Sequence, residues 1–235
     1  MSAIVACRGV TKIYRQGSVE VPALRGIDLE IEAGDFATLA GPSGSGKTTL
    51  LNIIGGLDVP TLGEVTVDGT QIARLTRNAL ADVRLHKIGF VFQTYSLIPV
   101  LSAQENVEFI LELLGIDKKE RRARAREVLR EVGLSGMENR RPARLSGGQQ
   151  QRVAVARALG PKPAIVLADE PTANLDSKTA EELIALMSEL NLKSGVTFLI
   201  ATHDARVIAH TRRHIEMTDG KITLDERRGT PRAAA

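Results

Sequence analysis

Four short apolar runs, each breaking off into polar residues, organise the chain. "DFATLA" leads into a glycine-rich stretch, "KIGFVFQ" closes on Gln93, "AIVLADE" on Asp169 and Glu170, and "VTFLIATHD" on His203 and Asp204. Nearly continuous apolar runs of this length read as strands buried on both faces, which belong to a parallel sheet with helical crossovers. One crossover is visible between Thr179 and Leu190, where Ala180, Leu183, Ile184 and Met187 recur at helical spacing. The opening third reads differently. "VPALRGIDLEIEAGDFATLAG" and "GEVTVDG" hold β-prone pieces between turn signals, and the first two alternating pieces predict antiparallel strands.

Between Gln93 and Ser146 the period changes. "KKERRARAREVLREVGL" places Ala125, Val128, Leu129 and Val132 on one stripe and surrounds it with charge, which predicts a helical subdomain inserted into an α/β core. Its glutamates are interspersed with the arginines, so the basic run reads as a solvated helix face. The expected layout is one domain over residues 1–235. Residues 1–93 and 160–225 would form a β subdomain and the core, 94–159 the helical subdomain, and 226–235 a polar tail.

Composition narrows the class. Apolar residues at 43% and charged residues at 25% suit a soluble globular protein. Aromatics at 3%, without Trp, supply a base-stacking surface poorly, so no nucleic-acid partner is expected. The formal charge of +3 permits an anionic ligand or a membrane surface and requires neither. Cys7 is the single cysteine and is expected as a small buried hydrophobe in a reducing compartment. "MSAIVACRGVTK" lacks the basic and apolar regions of a signal peptide, and no window approaches a membrane span. A soluble, cytoplasmic protein is expected.

"GPSGSGKTT" matches the phosphate-binding loop GxxxxGK[ST] between a predicted strand and a predicted helix. Gly41, Pro42, Ser43, Gly44, Ser45 and Gly46 would wrap backbone N–H groups around a β-phosphate. Lys47 supplies the cation for the β- and γ-phosphates, Thr48 a hydroxyl for Mg²⁺, and Thr49 continues the helix start. Asp169 would hold Mg²⁺ through water. Glu170, turned the other way by the strand pleat, would polarise an attacking water. Ligands of open parallel sheets bind at the carboxyl ends of the strands, where all four polar endings fall. Gln93 there suits an attacking water or Mg²⁺, and His203 suits a γ-phosphate oxygen.

"RLSGGQQQRVAVARAL" reads locally as a helix start, with Ser146 as N-cap and Gln149 closing a capping box. A helix N-terminus cleared by Gly147 and Gly148 is also an anion site. Lys47 already marks one such site. Either there is a second anion, or both helix ends address the same phosphate.

"GPSGSGKT", "LSGGQ", "IVLADE", "ANLD" and "THD", in this order, resemble an ATP-binding-cassette (ABC) ATPase over essentially the whole chain. The resemblance implies an α/β P-loop NTPase (RecA-like) parallel-sheet core, an N-terminal antiparallel β subdomain and an inserted α-helical subdomain. It implies ATP and Mg²⁺, and two copies paired head to tail. Each ATP would lie between the phosphate loop of one copy and Ser146, Gly147, Gly148 and Gln149 of the other. Tyr14 in "KIYRQG" then corresponds to the aromatic that stacks on adenine and Asp176 to a loop communicating across the dimer. Glu170 corresponds to the catalytic base and His203 to the γ-phosphate switch.

"LNIIGGLDVPTLGEV", "GFVFQTYSLIPVLSAQENV" and "LADEPTANLDSKT" are similar to the lipoprotein-releasing, macrolide-exporter and cell-division branch, although Ala173 stands where that branch more usually has glycine. That branch implies a transmembrane permease subunit, met by "QTYSLIPVLSAQENV", and peripheral attachment to the inner face of the membrane. The alternative is a soluble ABC module acting on DNA or ribosomes, whose relatives carry a long coiled-coil insertion or a second cassette. This chain has neither.

Overall fold

The computed structural model of the chain describes residues 3–17 and 19–228. It opens with β1 (Ala3–Gln16) and β2 (Val19–Glu32), and β3 (Phe36–Ala40) leads through a loop into α1 (Lys47–Ile54). β4 (Leu62–Val67), β5 (Thr70–Gln71), α2 (Arg77–Lys87) and β6 (Ile88–Val91) follow. Three helices, α3 (Ala103–Leu113), α4 (Lys118–Glu131) and α5 (Gly147–Leu159), separate β6 from β7 (Ile165–Asp169). α6 (Ser177–Ser194), β8 (Thr197–Thr202), α7 (Ala205–His210), β9 (Arg213–Thr218) and β10 (Lys221–Arg227) complete it.

Two sheets form. The smaller has the order β2-β1-β4-β5 and is antiparallel throughout, as the alternation near the start predicts. The larger has the order β10-β9-β3-β8-β7-β6 and is parallel except for the β9–β10 pair. β3 and β8 are buried along their whole length, which explains their unbroken apolar reading. Because β3, β6, β7 and β8 run in one direction, the residues that follow them emerge along one edge.

Each face of the larger sheet carries a core. Leu39, Leu167 and Ile215 pack with Leu50 and Ile54 of α1 and with Val65 of the smaller sheet. On the other side Phe36 and Phe198, edge to face at 5.6 Å, pack against the helices. The α4 stripe of Ala125, Val128, Leu129 and Val132 is fully buried there. Burying Val128 and Leu129 contributes about 1.5–3 kcal/mol each, which docks a helix otherwise made mostly of Arg, Lys and Glu.

Two expectations change in detail, and the one for Cys7 holds. α6 outruns its apolar stripe at both ends, from the Asp176 cap to a left-handed Gly195. β10 runs on through Arg227, whose guanidinium pairs with Glu32 and Asp35, so the tail expected from residue 226 does not start there. Residues 229–235 lie outside the described residues. Cys7 is buried; burial, with a contribution from Asp28, raises its thiol to about 12, which makes it unreactive.

Candidate active site

β3 delivers the chain into a loop where two positions admit no side chain. Gly41 and Gly46 sit at φ of +149° and +102°. A Cβ at Gly46 would lie 2.7 Å from the Ala23 carbonyl, and one at Gly41 would run into the Met217 carbonyl. α1 then begins at Lys47 with no side-chain cap, leaving its first N–H groups for an anion. Lys47 folds back so that Nζ donates to the Gly41 carbonyl at 2.7 Å and the Pro42 carbonyl at 3.0 Å. A phosphate would be the stronger partner for this ammonium. Ser45 Oγ, buried in the same loop, has no hydrogen-bond partner, which suits an incoming phosphate oxygen.

Thr48 Oγ1 donates to Asp169 Oδ1 at 3.2 Å, joining the start of α1 to the end of β7. A hydroxyl and a carboxylate are the hard oxygen donors that Mg²⁺ takes. Among the described residues no group of three or more His, Cys, Asp or Glu could by itself hold a metal ion. Burial pushes the Asp169 carboxyl up, the Thr48 bond pulls it down, and the Glu170 charge raises it further, to a value above the ordinary one. A divalent cation there would reverse that balance.

Glu170 does not continue the pleat, as the sequence reading has it. The strand ends at Asp169, and Glu170 turns left-handed at φ +45°, with its N–H donating to the Ala201 carbonyl at 2.9 Å. A side chain in that region is strained, and such strain concentrates at functional sites. Its carboxylate accepts from Thr202 Oγ1 at 3.2 Å and lies 2.7 Å from His203 Nδ1. Gln93 occupies the turn after β6, its carbonyl accepting from Asn174 Nδ2 at 2.9 Å. The phosphate loop, Gln93, Glu170, Ala173 and His203 line one groove of about 550 Å³.

Other sequence-predicted residues lie outside that groove. Tyr14 is 38% exposed; its hydroxyl donates to Asp58 Oδ2 at 2.8 Å, and Lys12 Nζ sits 4.9 Å from the ring centre. Ser146 and Gln149 form the expected capping box. Gly147 and Gly148 have a role within the chain as well: a Cβ would meet the Tyr95 hydroxyl at the first and Thr179 Cγ2 at the second. Asp176 caps α6, accepting from Thr179 N at 3.0 Å and Thr179 Oγ1 at 2.6 Å.

Sequence reasoning missed Asp58, Gln151 and Asn174. Gln151 alone carried a readable signal, a polar residue at the apolar phase of α5 four places before Val155.

Known proteins share this fold and sequence closely. The family model described as ABC transporter matches residues 24–173. The chain is 49% identical over 222 residues to the lipoprotein-releasing system ATP-binding protein LolD of Anaeromyxobacter dehalogenans, covering 94% of this chain and 93% of that one. It is 46% identical over 221 residues to the macrolide export ATP-binding/permease protein MacB of Syntrophobacter fumaroxidans, covering 93% of this chain but 31% of that longer one. Among solved structures, the dimeric post-hydrolysis state of the cassette MJ0796 with ADP and phosphate superposes with a TM-score of 0.87, at 46% identity. That match covers 96% of this chain and 99% of the other. The chain belongs to the ABC transporter family, as an ATP-binding and ATP-hydrolysing cassette.

Proposed function

We propose that this cassette binds MgATP, closes with a second copy head to tail, and passes the motion of hydrolysis to a separate transmembrane subunit. The observation that carries the reading is the shared groove. The phosphate loop and the three groups suited to a γ-phosphate and its attacking water, Gln93, Glu170 and His203, line one cavity.

Lys47 exchanges its two carbonyl partners for the β- and γ-phosphates, and the N–H groups at the start of α1 complete the cradle. Thr48 and Asp169 would hold Mg²⁺, which would supply neutralising charge to the phosphates. The Glu170 carboxylate accepts a proton from the attacking water, which Gln93 orients, and His203 leaves Glu170 to bond the γ-phosphate. Tyr14, anchored by Asp58 and bearing Lys12 on its ring, offers a surface for adenine.

The start of α5 supports completion by a second copy. The capping box takes up the Gln149 N–H and leaves those of Gly147 and Gly148 for a ligand. MJ0796, similar in fold and sequence, is dimeric in its ADP-and-phosphate state.

A second groove, of about 600 Å³ and mostly apolar, supports the membrane partner. It lies between α2 and α3, lined by Leu57, Phe90, Ile98, Phe109 and Leu113, and includes Ser96 from the segment after Gln93. Among the described residues no helix is long and apolar enough to cross a membrane. The names LolD and MacB support lipoprotein release, export or a related envelope process, with the cassette held at the inner face of the membrane. Arg121 and Arg124 are ion-paired to Glu112 and Glu127, which supports a solvated α4 face over a nucleic-acid surface.

The test is Leu113→Glu, which charges this groove at a residue 57% exposed. Purification from detergent-solubilised membranes should lose a multi-span partner that the wild type recovers, with basal ATP hydrolysis retained. Equal recovery by both proteins overturns the assignment of the groove.

A further inference from the structure

Gln151 lies in the second turn of α5 and is fully buried. Its side-chain Nε2 donates to two backbone carbonyls from distant parts of the chain, Pro171 at 2.9 Å and Phe92 at 3.3 Å. Pro171 directly follows Glu170, and Phe92 directly precedes Gln93. One amide group thus holds the backbone on both sides of the groove, each time one residue from a group that faces the reacting phosphate. Asn174 adds a parallel tie, its Nδ2 donating to the Gln93 carbonyl at 2.9 Å from the segment that follows Glu170.

The choice of residue type follows from the donors. A side-chain amide nitrogen carries two hydrogens and can satisfy two carbonyls at once. Leucine would fill the volume and donate to neither. Both carbonyls belong to irregular backbone outside the β6 and β7 ladders, where Phe92 has one other donor, the Tyr95 N–H at 3.2 Å. Gln151 Oε1, also buried, has no hydrogen-bond partner. A buried acceptor left unpaired costs about 1–3 kcal/mol. Packing alone would be served better by an apolar side chain, so the donors are what this position supplies.

α5 is also the helix whose first residues are Gly147 and Gly148. Further along it, Arg157 donates to the Tyr95 and Ser96 carbonyls, at 3.0 Å for Tyr95. The segment 92–96 is therefore bonded to α5 at both ends.

We infer that Gln151 is a positioning residue for ATP hydrolysis. It links α5 to the backbone of Gln93 and of Glu170, so that displacement of α5 moves both groups together. This rests on the roles proposed above for Glu170 and Gln93. When a second copy's nucleotide engages the N-terminus of α5, the Gln151 amide carries that engagement to the two groups in the same chain's own groove.

The experiment compares Gln151→Leu, Gln151→Glu, Asn174→Ala and Glu170→Gln with the wild type, using the full chain. Circular dichroism reads folding, a fluorescent ATP analogue reads nucleotide affinity, and steady-state phosphate release reads kcat. Displacing reacting groups by about an ångström costs up to ~10²-fold in rate, so Q151L should lose roughly 10–100-fold in kcat while nucleotide affinity stays within about threefold. N174A, at an exposed residue, should show a smaller loss of the same kind.

Q151E supplies a readout that packing alone would not move. Burial against two carbonyls raises the pKa of the introduced carboxyl, and only its protonated form donates. The kcat ratio of Q151E to wild type should therefore rise as pH falls from about 8 to 6, while the ratio for Q151L stays flat.

A Q151L kcat within twofold of wild type, an equal loss in affinity and kcat, or a pH-independent Q151E ratio overturns the inference. So does failure of both Gln151 variants to fold, which would make the residue purely structural. Wild-type turnover by E170Q would instead overturn the assignment of the base, and so separates the two failures.

Discussion

Glu170 and His203 are bonded to each other, with 2.7 Å between Oε1 and Nδ1. Thr202 holds the second carboxylate oxygen at 3.2 Å. Glu170 carries a left-handed backbone and His203 stands just past the end of β8, so two neighbouring strand ends present one hydrogen-bonded unit to the groove. In the roles proposed above, a base held by imidazole would be engaged elsewhere and would become free once His203 finds a γ-phosphate oxygen. The movement that senses nucleotide would then also release the base.

His203→Ala removes the proposed γ-phosphate contact and leaves the phosphate loop untouched. Its expected signature is a fall in kcat of roughly 10²-fold with nucleotide affinity within about threefold of wild type. Steady-state turnover and equilibrium titration of the same preparation check this. A drop confined to affinity would place His203 in binding alone.

Gly148→Ala tests the intrachain role of the glycines in "LSGGQ". On an open helix surface the change would stabilise by up to about 1 kcal/mol. Here the new methyl meets Thr179 Cγ2, and overpacking of that kind costs about 1–3 kcal/mol, so destabilisation is expected. Thr179→Ser deletes that methyl and keeps the hydroxyl that donates to Asp176 at 2.6 Å. The double variant should recover most of the loss in denaturant melts. A G148A protein as stable as wild type contradicts the contact.

Asp58 sets an acid limit on the Tyr14 anchor. Burial pushes its carboxyl up, but bonds from Lys12 Nζ, the Tyr14 hydroxyl and the Val59 N–H outweigh this and hold it below the ordinary 3.8. A carboxyl lowered on folding contributes stability that is full above its unfolded value and lost as pH falls through the folded one. The gap in melting temperature between wild type and Asp58→Asn should therefore be steady from about pH 5 to 8 and close below about pH 4. A gap unchanged at low pH contradicts the pairing.

What could be read from the chain divides by how local its cause is. The phosphate loop was legible because its glycines, Lys47 and Thr48 act within nine residues, "GPSGSGKTT". β3, β7 and β8 were legible because both faces are buried. β9 was not. It lies next to β3, yet it carries Arg213 and His214, both nearly fully buried, and such residues read as surface. Arg213 is accommodated by Asp35 at 2.8 Å and Asp225 at 2.7 Å, and His214 by Thr38 and Glu216. Glu216 lies in β9 itself, but Asp35, Thr38 and Asp225 come from a turn, β3 and β10, so no short window of sequence reveals them together. Asn174 was hidden for the same reason, and Gln151, though visible as a polar residue at an apolar phase, kept its role hidden, since their partners are carbonyls 81 and 59 residues away. The glycines of "LSGGQ" pointed to a neighbour's nucleotide, and their packing on Tyr95 and Thr179 emerged only in three dimensions.

Completion of one copy's nucleotide by the other copy's Ser146 is tested most directly by gel filtration with saturating ATP. Glu170→Gln alone should slow hydrolysis roughly 10²–10⁴-fold and elute as an ATP-dependent dimer. Adding Ser146→Arg should leave it monomeric while ATP still binds at Lys47. A double variant that dimerises with the same ATP dependence as E170Q would contradict a shared site.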